Sequence, residues 1–98
     1  MKYYLKIHSQ STNRIIGVCD EDCINLHLTQ GKYNYRVSEA FFKDKLVLIE
    51  EAIKILKTST NFNAVGKNII EALIKSEIIN SEGILEIDGV PIVIKFIF

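Results

Sequence analysis

The chain has 98 residues, 48% of them hydrophobic and 24% charged, with a single proline. A length in the usual ~50–250-residue range of domains, with that apolar content, predicts one folded domain over residues 1–98 and excludes a disordered chain. Twelve Lys and Arg cancel twelve Asp and Glu to a formal charge of zero, which excludes a strongly basic nucleic-acid clamp and a polyacidic tail.

From the first residue, Lys2 to His8 alternates. Tyr3, Leu5 and Ile7 point one way and Lys2, Tyr4, Lys6 and His8 the other, the pattern of a half-buried strand. Ser9 to Asn13 reads as a polar turn, and the β-branched stretch Arg14 to Cys19 as a second strand. Asp20 to Leu28 reads as a short helical turn capped by Asp20. Gly31 resets the chain before a third strand at about Tyr33 to Val37.

At Leu46 the period changes. Leu46, Ile49, Ile53 and Leu56 form the stripe of an amphipathic helix that ends near Thr58. Asn63 is placed to cap a second helix whose buried face is Val65, Ile69, Ile70, Leu73 and Ile74; Asn80 to Gly83 ends it. Ile84 to Ile87 and Val90 to Phe98 flank Asp88-Gly89, a strong hairpin signal. The last strand is apolar on both faces apart from Lys95, so it is central in the sheet or covered by a partner. Pro91 cannot donate to a ladder and belongs at a strand start or along an unpaired side. The order βββ-αα-ββ predicts an α+β domain, a mostly antiparallel sheet of about five strands with two helices on one face. No apolar run approaches the ~18 residues of a spanning helix, and Met1 to Ile7 is too short and too charged for a signal peptide. With two cysteines and no disulfide framework, a cytoplasmic location without membrane contact is expected.

Cys19-x3-Cys23-x3-His27, with His8 elsewhere, offers four potential zinc ligands at a permitted spacing. Buried apolar cysteines and solvent-facing histidines are the simpler reading, so no metal and no cofactor are expected. Asp20, Glu21 and Asp22 with His8, His27, Ser9 and Ser38 could in principle supply general-base or nucleophile chemistry. No motif organises them, and runs of like charge usually face water; the expectation is a non-enzyme with no catalytic residue. Lys2, Tyr4, Lys6 and His8 interleave cations with an aromatic on an outward strand face, a pattern that can pair phosphates and stack a base on an open sheet. A plain solvated face explains the same alternation. Two helices followed by a hairpin also mimic a winged helix-turn-helix with Lys67, Asn68, Glu71 and Lys75 as its reading face, but Glu71 would repel phosphate.

Five ordered segments carry a family resemblance: Tyr4-Leu5-Lys6-Ile7-His8, Val18-Cys19-Asp20-Glu21-Asp22, Ser38-Glu39-Ala40-Phe41-Phe42, Asn63-Ala64-Val65-Gly66-Lys67 and Gly89-Val90-Pro91. Together, across the whole chain, they resemble the archaeal domain-of-unknown-function family numbered 424. Cys19, Asp20 and Glu21 match its Cys-Asp-Glu step, and Ser38, Glu39 and Phe41 its Ser-Glu-x-Phe step. Asn63, Val65 and Gly66 match Asn-x-Val-Gly, and Gly89, Val90 and Pro91 match Gly-Val-Pro. The resemblance implies an uncharacterised protein with an RNA-binding label. Two positions depart from it. Leucine is usual where Cys23 stands, and a His-Ala-Gln stretch is usual where this chain has Ile92-Val93-Ile94.

Gly66, expected in the first turn of the second helix, costs about 0.5–1 kcal/mol there relative to alanine. A ligand phosphate at the helix end, or close backbone packing, would account for it. The leading expectation is therefore a cytoplasmic RNA-binding module using Lys2, Tyr4, Lys6 and His8 together with Asn63, Gly66 and Lys67. The alternative is a protein-interaction or homodimerising module that uses the apolar C-terminal strand ending Phe96-Ile97-Phe98.

Overall fold

The structure, a computed structural model, describes residues 1–10 and 13–96. A six-stranded sheet runs in the order β5-β1-β2-β6-β8-β7, with a separate two-stranded hairpin, β3-β4. Its strands are β1 (Lys2–Gln10), β2 (Asn13–Asp20), β5 (Lys45–Leu48), β6 (Asn61–Val65), β7 (Leu85–Ile87) and β8 (Val90–Phe96); the hairpin is β3 (His27–Gln30) and β4 (Tyr33–Arg36). Three α-helices, α1 (Glu39–Phe42), α2 (Ile49–Lys57) and α3 (Lys67–Lys75), accompany them. All neighbours in the large sheet are antiparallel except β2 and β6, which are parallel.

The α+β class, the mostly antiparallel sheet, the first two strands and the Asp88-Gly89 hairpin match the sequence reading. At that turn φ is +54° for Asp88 and +80° for Gly89, the left-handed pair that a two-residue hairpin needs. The strand count and two element assignments are corrected. Lys45–Leu48 is an edge strand and not the start of a helix. Val47 is buried between exposed Leu46 and Leu48, and the segment pairs with β1. The helical stripe therefore begins only at Ile49. Asn61–Val65 is also a strand and not a helix cap and first turn. Phe62, Ala64 and Val65 are buried, and the strand lies between β2 and β8. Asn63 is a mid-strand residue, and α3 starts after Gly66. Ile74, expected on the buried face of that helix, is 36% exposed.

The sheet is covered on both faces. On one, Leu5, Val18, Phe62 and Val93 meet Leu56 of α2 and Ile69 and Leu73 of α3. On the other, Cys19, Val65 and Ile92 meet Leu28 of the hairpin, Val37, and Phe42 of α1, with Tyr4 and Tyr35 packed alongside. The two long helices share one face as expected, and the hairpin and α1 form a second layer that chain order did not reveal. β8 sits between β6 and β7, as its two apolar faces require. Pro91 is opposite Glu86 of β7, and its carbonyl accepts from Gly66 N at 3.0 Å. Carbonyl and nitrogen of one strand residue point to the same side. The missing donor thus faces the place where β6 has already ended.

Candidate functional site

Three of the singled-out segments meet where β2 and β6 end and α3 begins. Asp20 is 4% exposed. One of its carboxylate oxygens accepts from Asn68 N at 2.9 Å and the other from Ile69 N at 2.9 Å. It does not cap the 3-10 turn Glu21–Cys23 that follows it; it caps α3 from 48 residues away, satisfying two donors that a helix start leaves open. Gly66 makes room for this. Its φ is +123°, and a Cβ there would stand 2.4 Å from Asp20 Cγ. What approaches the helix end is a carboxylate of the chain itself, in the position considered for a ligand phosphate. Burial pushes the Asp20 carboxyl up, and the two backbone donors pull the other way.

A cleft of about 330 Å³ beside this junction is lined by Asp20, Asp22, Cys23, Lys67, Asn68 and Gly89, among others. Ligand atoms of Asp20, Asp22 and Cys23 lie within 4.8 Å of one another. The four zinc candidates of the sequence do not meet there: His8 bonds to Phe41 O and His27 to Asn34 Oδ1. Burial pushes both the Cys19 and the Cys23 thiols up to about 12. Both lie in the core of the hairpin layer and keep their protons at neutral pH, a poor state for a nucleophile.

The outward face of β1 is roofed, not open. Lys6 Nζ donates to Ala40 O at 2.9 Å, and His8 Nε2 lies 2.8 Å from Phe41 O. A carbonyl can only accept, so that nitrogen carries the proton. The His8 ring stacks on Phe41 at 4.7 Å, and Lys43 Nζ lies 5.8 Å from the centre of the Tyr4 ring. Tyr4, Lys6 and His8 are half-buried under α1, while Lys2 is exposed. Ser38 caps α1 by accepting from Phe41 N, and Asn25 Nδ2 donates to Glu39 Oε2. Gly17, beneath it, has no room for a Cβ: Phe41 O would be 2.5 Å away. The Ser-Glu-x-Phe step thus builds the roof. Asn63, on the same sheet face, donates to Tyr35 Oη at 3.3 Å.

The model of a family described as "Protein of unknown function (DUF424)" matches residues 7–97. The chain belongs to that family. A crystal structure of an uncharacterized conserved protein from Methanopyrus kandleri is similar with a TM-score of 0.74 over 96% of this chain and 90% of that chain, at 22% identity. At that identity the likeness shows a shared fold. No curated protein matches. In this DUF424 chain, Asp20 caps α3 through Asn68 N and Ile69 N, and Gly66 leaves room for that carboxylate and donates to the Pro91 carbonyl. Ser38, Glu39 and Phe41 build α1, and Asn63 braces Tyr35. Exposed Lys67 borders the cleft beside the junction.

A third region lies at the far end of β8. The hairpin layer covers Ile92, but Ile94 and Phe96 on the same face are 60% and 56% exposed. Gly17, Asn63 and Ile94 form one row across β2, β6 and β8, and Asn61 pairs with Phe96 in the next. β7 ends at the Leu85–Ile92 pair. Among the described residues, no strand pairs with the outer edge of β8 from Val93 to Lys95. Residues 97 and 98 of the expected C-terminal patch lie outside the described residues. No helix among the described residues is long and apolar enough to cross a membrane.

Proposed function

We propose that the chain is a non-catalytic protein-interaction module that binds through the rim of β8. The observation that carries this reading is the open β8 edge with Ile94 exposed beside it. An unpaired strand edge with an apolar side chain is a template for another chain. The neutral state of Cys19 and Cys23 and the engagement of Asp20 with α3 support a role other than catalysis. The RNA reading is the competing one. It asks for an accessible β1 face, and Tyr4, Lys6 and His8 of that face are bound up with α1.

Two titrations test the choice. At submicromolar protein, an anilinonaphthalene dye is expected to bind the native chain and to lose that binding in Ile94→Lys with an unchanged circular dichroism spectrum. Fluorescent single-stranded RNA, structured RNA and matched DNA, each at two salt concentrations, are expected to show no salt-sensitive binding. Dye binding indifferent to Ile94→Lys would remove the docking surface. Micromolar RNA binding that weakens with salt and is lost in Lys6→Ala would replace this reading with the nucleic-acid one.

A further inference from the structure

The partner can be read from the groove that borders the open edge. A two-residue hairpin makes Ile87 and Val90 its hydrogen-bonded pair, and pairing alternates along the strands. Leu85 and Ile92 repeat that pattern, so the peptide N–H and C=O of Ile94 point out of the sheet edge. Val93 and Lys95 face the helix side. Val93 packs in the helix-side core, and Lys95 Nζ lies 5.7 Å from the centre of the Phe62 ring. On that side a groove of about 680 Å³ runs along the edge, lined by Ile74, Ile78, Val93, Glu77 and Lys95 among others. It therefore offers apolar walls with one acid and one base. Glu77 has no ion-pair partner among the described residues.

We infer that the occupant is a second copy of this chain, its β8 laid antiparallel along the first with Ile94 opposite Ile94. The inference rests on the interaction reading above and names the partner for the same rim. A two-fold axis through Ile94 lets each Ile94 N–H donate to the other copy's Ile94 carbonyl, so both outward peptide groups are satisfied at once. The same register sets Lys95 of the second copy across from Val93, over the groove that holds Glu77, and symmetry repeats the pair. An extended segment with an apolar residue and a cation two positions apart is what this groove accepts, and Val93-x-Lys95 is such a segment. At neutral overall charge, two copies approach without net repulsion.

Sedimentation velocity on the full chain, from micromolar to about millimolar, tests this. The wild type is expected to show a concentration-dependent monomer–dimer equilibrium. Lys95→Glu and Glu77→Lys should each weaken it by about tenfold or more, and the double reversal should restore it to within about threefold. Both sites are surface positions, and circular dichroism checks that each variant folds. A wild type that stays monomeric throughout overturns the proposal; dye binding sensitive to Ile94→Lys would still leave the broader reading standing. A dimer indifferent to either single reversal, or one not restored by the double, overturns the register and with it the assignment of this rim.

Discussion

Asp20 is the buried charged side chain among the described residues, and its environment explains why it can stay there. Taking a carboxylate out of water is unfavourable unless its lone pairs find donors. Two backbone amides at the positive end of α3 supply them. Gly66 is the other half of this arrangement, because an alanine there would need a φ of +123° and would collide with the carboxyl group. Asp20→Ala leaves the buried Ile69 amide and the half-buried Asn68 amide without their acceptor, at about 1–3 kcal/mol for a fully buried group. Urea unfolding is expected to show a loss of about 2–5 kcal/mol for Asp20→Ala and a smaller one for Asp20→Asn, which keeps one acceptor oxygen. Gly66→Ala should lie at the upper end of that range or fail to fold. A loss within about 0.5 kcal/mol for Asp20→Ala, the size of an ordinary surface change, would remove Asp20 as the cap of α3.

Among the elements, α1 depends most on residues far from it in sequence. Four residues cannot sustain a helix alone, since nucleation is unfavourable and few bonds follow it. Lys6 and His8 hold its carbonyls, the His8 ring stacks on Phe41, and Gly17 lets the Phe41 carbonyl and ring edge close on β2. Gly17→Ala is therefore expected to lift α1 from the sheet. Limited proteolysis should cut between residues 38 and 45 in this variant, at least tenfold faster than in the wild type, an effect worth about 1.4 kcal/mol of local opening. Equal cleavage rates would mean that the contacts to Lys6 and His8 hold α1 without the close approach at Gly17.

This element also shows what a single sequence discloses. The alternation of Lys2 to His8 identified the strand and its inward residues, and Asp88-Gly89 identified the last hairpin, because both signals are local. The outward set Tyr4, Lys6 and His8 looks solvated in sequence because the α1 residues that bond Lys6 and His8 lie 34 and 33 positions further on. The strand Asn61–Val65 is hidden for a related reason. Asn63 followed by a helical stripe is a good cap signal, and only the parallel pairing with β2 makes that stretch a strand. The Asp20 to α3 link spans 48 residues and has no periodicity to betray it. Glycine before Lys67 was the visible trace, and its partner was a carboxylate that the sequence had assigned to its own turn.

At the scale of the molecule, burial acts in one direction on five titrating groups of the core. Burial pushes up Asp20, the Tyr3 and Tyr35 phenols, and the Cys19 and Cys23 thiols, the thiols from 9.0 to about 12. A folded-state value raised above the unfolded one means that the native state keeps its proton longer, so stability falls as pH rises through the interval between the two. For the thiols this stability is complete below pH 9.0 and is lost as pH climbs toward about 12. The tyrosines, with an ordinary value of 10.0, begin to act in the same direction slightly later. Twelve acidic and twelve basic groups balance at neutrality, so self-repulsion is weak at the starting point and the buried groups dominate the first alkaline losses. The urea midpoint is expected to hold between pH 7 and 8.5 and to fall steeply by pH 10.5, with near-ultraviolet absorbance following the phenols. Cys23→Ala starts from lower stability but should lose less of it over the same interval, because one of the two raised thiols is gone. A midpoint unchanged from pH 8.5 to 10.5, or an equal loss in Cys23→Ala, would mean that the thiols of the hairpin layer are reached by solvent in the native state. That layer would then be open in solution over the face on which Cys19, Val65 and Ile92 lie.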